Sequence, residues 1–365
     1  MNQSLGRGGS RRRYPDLSRR SFLRSSAAAG VLVAGGLAFV NDARAQVVGV
    51  DDMLLETVLG PVQGKDIEKA LAHEHLFVDF FGPTDPNYMN VDWADVIGAS
   101  VNKANEIRSQ GVNLMIEWGP MGVGRNVLLL RHVARATGVN IVCPTGIYKS
   151  LIPPQFEGMT ADQIAFHFLR ELTKGTDGTA IRTGFIKIAT TEKGPTETDT
   201  MIHRAAAMAG REAGATIALH SPFAEVTKTV VATLEKEGFP LTRFVWGHAQ
   251  PSKTDDHKAM AARGATIQFD AIGARSDPFF HGPTDDASML NRIEALVKAG
   301  FDKQVLVSAD ASVYVNPSKW QYDRDNTYVY RYFEPQLVQR LGEAMARQVL
   351  RDNVIRAFRR GDKVT

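Results

Sequence analysis

From about residue 66 onward, short apolar runs rich in β-branched residues alternate with longer stretches whose apolar positions recur every three or four residues. The first pattern has the two-residue period of strands, the second the 3.6-residue period of helices. Strands are predicted over 70–78, 113–118, 140–145, 184–189, 216–220, 244–248, 266–270 and 304–310. Helical patterns lie between them over 94–109, 125–137, 198–213, 225–237, 256–263 and 287–299. Eight strands alternating with helices imply parallel βαβ units closed into a (β/α)8 barrel of the α/β class. An open doubly wound sheet would need a glycine-rich phosphate turn after its first strand. Here Gly119-Pro-Met-Gly122-Val-Gly124 follows the second strand, where it reads as a tight βα loop.

Polar residues at the ends of these strands sharpen the picture. His73-Glu-His75 alone is a weak motif, but residues two apart on a strand share a face. Lys187 sits in Phe185-Ile-Lys-Ile-Ala189, His220 in Ile217-Ala-Leu-His220 and His248 in Phe244-Val-Trp-Gly-His248, while Asp310 ends Val305-Leu-Val-Ser-Ala-Asp310. A barrel of about 250 residues gives about 31 per βα unit. The step from 187 to 220 is 33 and from 220 to 248 is 28, one unit each. From 248 to 310 is 62, two units, which leaves the strand ending in Asp270 without a ligand; from 75 to 187 is 112, three units with longer loops. The candidates therefore fall on strands 1, 4, 5, 6 and 8, at the C-terminal mouth where barrel chemistry takes place. A lysine flanked by Phe, Ile, Ile and Ala is hard to bury without a partner. His132, His167, His203, His257 and His281 have no such phasing and are read as ordinary residues.

The first 45 residues stand apart. Ser18-Arg19-Arg20-Ser21-Phe22-Leu23-Arg24 precedes an Ala/Gly/Val-rich run from 25 to 40, and Ala43-Arg44-Ala45 offers small residues for cleavage. These features predict a twin-arginine signal at 1–45, cleaved to leave a single barrel domain over 46–365 in the periplasm. The run is too short and too weakly apolar for a membrane anchor, so no membrane attachment is expected after cleavage. The leader holds eight Arg and two Asp, a net of +6; removing it from the total of +3 leaves −3. The basicity thus serves targeting, with the twin-arginine translocation machinery as partner, and gives no support to nucleic-acid binding. One cysteine, Cys143, excludes an intrachain disulfide.

Seven segments carry a resemblance to the phosphotriesterase family of the amidohydrolase superfamily. They are Ala72-His-Glu-His75, Gly122-Val-Gly-Arg125, Thr145-Gly-Ile-Tyr148, Gly184-Phe-Ile-Lys-Ile-Ala189, Leu219-His220-Ser221, Gly247-His248 and Leu306-Val-Ser-Ala-Asp310. The resemblance implies two divalent metals, zinc first, with manganese, cobalt or iron as alternatives. It places His73, His75 and Asp310 on the more buried metal, His220 and His248 on the more exposed one, and a carboxylated Lys187 between them. The implied chemistry is hydrolysis by a metal-bridging hydroxide, with Asp310 accepting its proton and His248 relaying it. A homodimer is also carried by the resemblance.

The chain departs from the family pattern in two places. His248-Ala-Gln-Pro251 lacks an Asp that members often carry there, and Ala271 stands where lactonase-like members place an Arg, with Arg275 four residues on. Tyr148, by contrast, matches a lactonase feature. Tyr314, Trp320, Tyr322, Tyr328, Tyr330, Tyr332 and Phe333 form an aromatic run after Asp310, read equally as the packing of a long loop or as a lid or wall over the metals. With Trp118, Tyr148, Phe223, Arg275 and Tyr314 as the substrate wall, the expectation is a small neutral ester, lactone or phosphotriester. A barrel that keeps its metals and only binds a ligand or partner is the alternative.

Overall fold

The computed structural model describes residues 48–149, 151–274, 284–320 and 324–361, all within the unit Val48–Thr365. Residues 1–47, which include the leader expected at 1–45, and Arg275 lie outside the described residues, as do Tyr322 and the side chain of Trp320. A hairpin of β1 (Leu54–Thr57) and β2 (Gly60–Gln63) precedes the barrel. The parallel strands then follow: β3 (Lys69–Asp79), β4 (Val112–Glu117), β5 (Asn140–Val142), β6 (Pro144–Ile147), β7 (Phe185–Ala189), β8 (Thr216–His220), β9 (Phe244–Gly247), β10 (Thr266–Phe269), β11 (Val305–Val307) and β12 (Ser312–Asn316). Between them run α1 (Trp93–Arg108), α2 (Val127–Thr137), α3 (Ala161–Thr173), α4 (Glu197–Ala213), α5 (Ala224–Lys236), α6 (Thr254–Ala262) and α7 (Asp286–Lys298). The last three helices are α8 (Glu334–Leu341), α9 (Glu343–Arg347) and α10 (Asn353–Phe358).

Two hydrogen-bonded sheets make up the wall, β11-β10-β9-β8-β7-β6 and β12-β3-β4-β5. Their two junctions are each a single strand in two pieces. Cys143 separates β5 from β6, where Pro144 has no N–H to continue the ladder. Residues 308–311 separate β11 from β12, and here Asp310 N–H donates to His73 O at 3.1 Å while His75 N–H donates to Ala311 O at 2.9 Å. Strands and order are those of a (β/α)8 barrel.

The core has two layers. The outer one packs helices on strands, with Leu71, Met115, Ile186, Leu219 and Trp246 facing out. The inner one fills the lumen with Ala70, Ala72, Leu114, Ile116, Phe185, Ala218, Val245 and Leu306. Val354, Ile355 and Phe358 of α10 close its lower end, with the Phe358 ring 5.0 Å from that of Phe185. A register shift between Leu71 and Glu74 changes the parity of β3, so that both Ala72 and His73 face the lumen. That irregularity re-aims a side chain at the mouth, a common use of bulges near active sites.

Candidate metal centre

His73 and His75 lie midway along β3 on its inner face, and Asp310 sits opposite them in the break between β11 and β12. The Asp310 Oδ1 lies 3.2 Å from His73 Nε2 and 3.2 Å from His75 Nε2. His248 follows β9, with its ring 5.1 Å from that of His73 and 4.3 Å from that of His220 at the end of β8. One donor atom each from His73, His248 and Asp310 falls within 4.8 Å of the others. Below them Trp118, fully buried, stacks on His73 at 3.7 Å and carries the Lys187 Nζ 3.9 Å above its ring centroid. His248 and Asp310 both adopt positive φ, 60° and 49°, a backbone region that costs about 1–3 kcal/mol and clusters at functional sites.

A second ring of carboxylates fixes the histidines. Asp270, at the end of β10, holds His73 Nδ1 at 2.9 Å with one oxygen and His248 Nδ1 at 2.8 Å with the other. It also accepts from the His248 N–H and from Gln250 Nε2. Glu117 holds His75 Nδ1 at 3.0 Å and accepts from the Leu76 and Gly119 amides. Three imidazoles therefore have Nδ1 pinned to a carboxylate and turn Nε2 inward, which is how metal-binding histidines are oriented. Glu74 points away from them and accepts from Ser308 Oγ, Ala309 N–H, Ala311 N–H and Asn326 Nδ2, clasping the backbone on both sides of Asp310.

The electrostatics suit cations. Burial pushes the His73 imidazole down to about 3, against the pull of Asp310 and Asp270, and pushes His220 well below its ordinary value. Both rings are thus neutral and keep a lone pair for a metal. Burial opposes charge on His75 too, but Asp310 and Glu117 lift it to about 9, so this ring must shed a proton on ligation. Burial brings the Lys187 amine down to about 7. Its side chain is 2% exposed and has no hydrogen-bond acceptor among the described residues, a state that fits an amine converted to an oxygen ligand better than a resident ammonium.

Other sites read from the sequence fall differently. Trp118 is the floor beneath the cluster and does not wall a substrate space: positions 114, 116 and 118 share the lumen face of their strand. Tyr148 stands at the mouth with its hydroxyl 3.4 Å from both His220 ring nitrogens. Phe223 is half-buried just before α5, and Tyr314 packs beside Phe77, its partner across β12 and β3. Within the described part of the aromatic run, Tyr330 and Phe333 are packing, while Tyr332 is exposed. Tyr330 bonds to Ala70 and Leu350 in the core, Phe333 is fully buried and Tyr328 lies against Gly273. His203 and His257 bond to the carbonyls of Ala189 and Ala249, and His167 to Glu171. His281 lies outside the described residues.

Sequence reasoning missed the supporting residues Glu74, Glu117, Asp270 and Arg324. Asp270 had a signal, a carboxylate ending a strand beside two ligand-bearing neighbours. Arg324 had none: it reaches back from 14 residues downstream, and Nη1 donates to Asp310 Oδ2 at 2.9 Å and to the carbonyls of Ala309 and Asp310.

Fold and cluster together define a barrel with a metal centre at its C-terminal mouth. The model of the phosphotriesterase family matches residues 53–358, and the chain belongs to that family. Over 244 residues it is 31% identical to a phosphotriesterase homology protein of Escherichia coli, covering 66% of this chain and 80% of that one. Over 254 residues it is 30% identical to an aryldialkylphosphatase of Saccharolobus solfataricus, covering 68% and 78%. A mutant organophosphorus hydrolase of Deinococcus radiodurans superposes with a TM-score of 0.75 at 25% identity, covering 84% of this chain and 97% of that one. The protein is a metal-dependent hydrolase.

Proposed function

We propose that the protein hydrolyses carboxylic esters and lactones, with phosphotriesters as a side reaction, using two divalent ions held by His73, His75, Lys187, His220, His248 and Asp310. The observation that carries this reading is the convergence of those side chains, from five barrel strands, on one buried centre with its carboxylate supports in place. Zinc suits a set of imidazoles and oxygen anions. When bound, the ions supply Lewis acidity and an activated water.

The residues supply the rest. At about 7 the Lys187 amine is partly neutral near physiological pH. Its nitrogen can attack CO2, forming an N–C bond and releasing a proton, so that the resulting carbamate offers two anionic oxygens between the ions. Asp310 touches both His73 and His75 and is the proton acceptor at the reacting centre. His248 relays it: its Nδ1, 3.9 Å from Asp310 Oδ2, gives its own proton to Asp270 as it takes the one from Asp310. The Tyr148 hydroxyl, beside His220, is placed to donate to the oxygen of an ester or lactone. The same reading assigns the enzyme to the periplasm, exported folded with its ions.

A panel of lactones, carboxylic esters and paraoxon-like triesters, assayed with zinc, manganese or cobalt, tests the proposal. Turnover of at least one carbonyl substrate above the triesters is expected, abolished by chelation and restored by metal. No ester turnover in a metal-replete sample would sink the reading in favour of a barrel that only binds its ligand.

A further inference from the structure

A tight turn follows β6. The Leu151 N–H donates to Tyr148 O at 2.9 Å, and the two residues form a short antiparallel bridge. Lys149 takes the first corner with φ 45°. Left-handed backbone costs a lysine about 1–2 kcal/mol that glycine would not incur. Leu151, at the far side of the turn, is closely approached by two glycines. A Cβ on Gly122 would run into the Leu151 carbonyl oxygen, and one on Gly82 would meet the Leu151 side chain at 2.8 Å. The chain thus keeps a lysine where a smaller residue would sit at lower energy.

The Lys149 ammonium is also unneutralised. It is half-buried, 5.1 Å from the centroid of the Tyr148 ring, whose hydroxyl reaches His220. No hydrogen bond or ion pair is made by its Nζ among the described residues. The acids whose fields reach it are Glu192, which is exposed, and Asp199, which caps the backbone of Thr196 at the start of α4. Its charge also acts on Lys187 and His220, lowering both. A half-buried cation at the rim of a cationic centre is costly unless an anion arrives to face it.

We propose that Lys149 is the recognition point for a monoanionic group, a carboxylate or a sulfonate, carried by the substrate away from its scissile bond. The inference rests on the mouth being the hydrolytic site and names the substrate class for it. A lone ammonium is a point charge without the planar fork that favours bidentate anions, so it matches one negative charge better than a phosphate dianion. This replaces the neutral substrate expected from the aromatic run, of which Tyr330 and Phe333 are engaged in the core.

The test is calorimetry on the metal-loaded full chain with dicarboxylates of increasing length, sulfonated carboxylic acids and monocarboxylates of matching length. One carboxyl engages the ions and the second anion reaches Lys149. At one length the doubly charged acid binds about tenfold tighter than its monocarboxylate. Lys149→Met removes that advantage and Lys149→Arg keeps part of it. The preferred arm identifies carboxylate or sulfonate. No advantage at any length in the wild type, or one that survives in Lys149→Met, overturns the proposal. Should Lys149→Met unfold, the wild-type series and Lys149→Arg still decide it. Ester turnover without anion preference defeats this site alone, whereas anion preference without turnover of any ester defeats the hydrolytic reading alone.

Discussion

A lysine whose strand neighbours are Phe185, Ile186, Ile188 and Ala189 costs several kcal/mol to bury as an ammonium. In this protein it lies over Trp118 with Asp310 and Asp270 near enough to oppose its loss of charge, and burial still brings it to about 7. A carbamate would resolve the conflict, because it would turn a stranded cation into an anionic ligand for the ions. If so, Lys187→Ala loses both metal and activity, while Lys187→Glu, with an oxygen pair on a shorter stem, keeps part of each. Propionate with added metal partly restores Lys187→Ala by occupying the vacated space. A structural or catalytic ammonium requires the opposite, with Lys187→Arg tolerated and Lys187→Glu worst. Elemental analysis and turnover of the three variants separate the two; an active arginine variant beside a dead glutamate one would exclude the carbamate.

At the scale of elements, periodicity located eight strands of the barrel but neither β12 nor the register shift in β3 that re-aims His73. The positions 187, 220, 248 and 310 therefore came out of spacing alone. What periodicity does not contain is pairing between distant residues. Strand eight was expected to run through 304–310, yet it stops at Val307 because Glu74, over 230 residues earlier, takes the Ala309 and Ala311 amides. Asp310 is thereby turned into left-handed backbone facing His73. The aromatic run left two readings open for a related reason: Tyr330 and Phe333 serve the helices that close the barrel, which no local pattern distinguishes from a lid. Arg125, in a family-like segment, likewise proves structural. It binds both oxygens of Glu171 at 2.7 and 2.9 Å, together with Thr176 and Pro144 O. Burial would raise the Glu171 carboxyl, but Arg125 holds it well below the ordinary range. A depressed folded pKa gives stability that is complete above the unfolded value of about 4.3 and is lost as pH falls below it. Glu171→Gln should therefore cost about 3–5 kcal/mol at neutral pH, the range for breaking a buried pair. The deficit, measured by urea unfolding, shrinks once the pH drops beneath about 4. A deficit independent of pH would mean that the pair contributes packing and no charge interaction.

For the whole molecule, the distribution of charge matters more than its sum. Residues 1–45 carry +6 and residues 46–365 carry −3, the division expected of an export leader ahead of a barrel. The barrel needs no disulfide: its one cysteine, Cys143, is buried, and burial pushes its thiol up to about 12. A thiol held protonated is inert to oxidation, so an oxidising compartment poses no hazard to the fold. A centre that gathers ligands from five strands exists only once the barrel has closed, so on the proposed export route the ions would be loaded beforehand. The twin-arginine route carries folded proteins and suits that order, and Arg19-Arg20 is the feature it would read. Replacing both arginines by lysine keeps the charge and removes the guanidinium pair, so a general requirement for positive charge would survive the change. Loss of export is the expected outcome, with full-length precursor, still metal-loaded, accumulating in the cytoplasm. Cell fractionation with elemental analysis of the retained protein measures both. Normal periplasmic accumulation of the double variant would mean that the leader follows another route, and precursor without metal would mean that loading follows export.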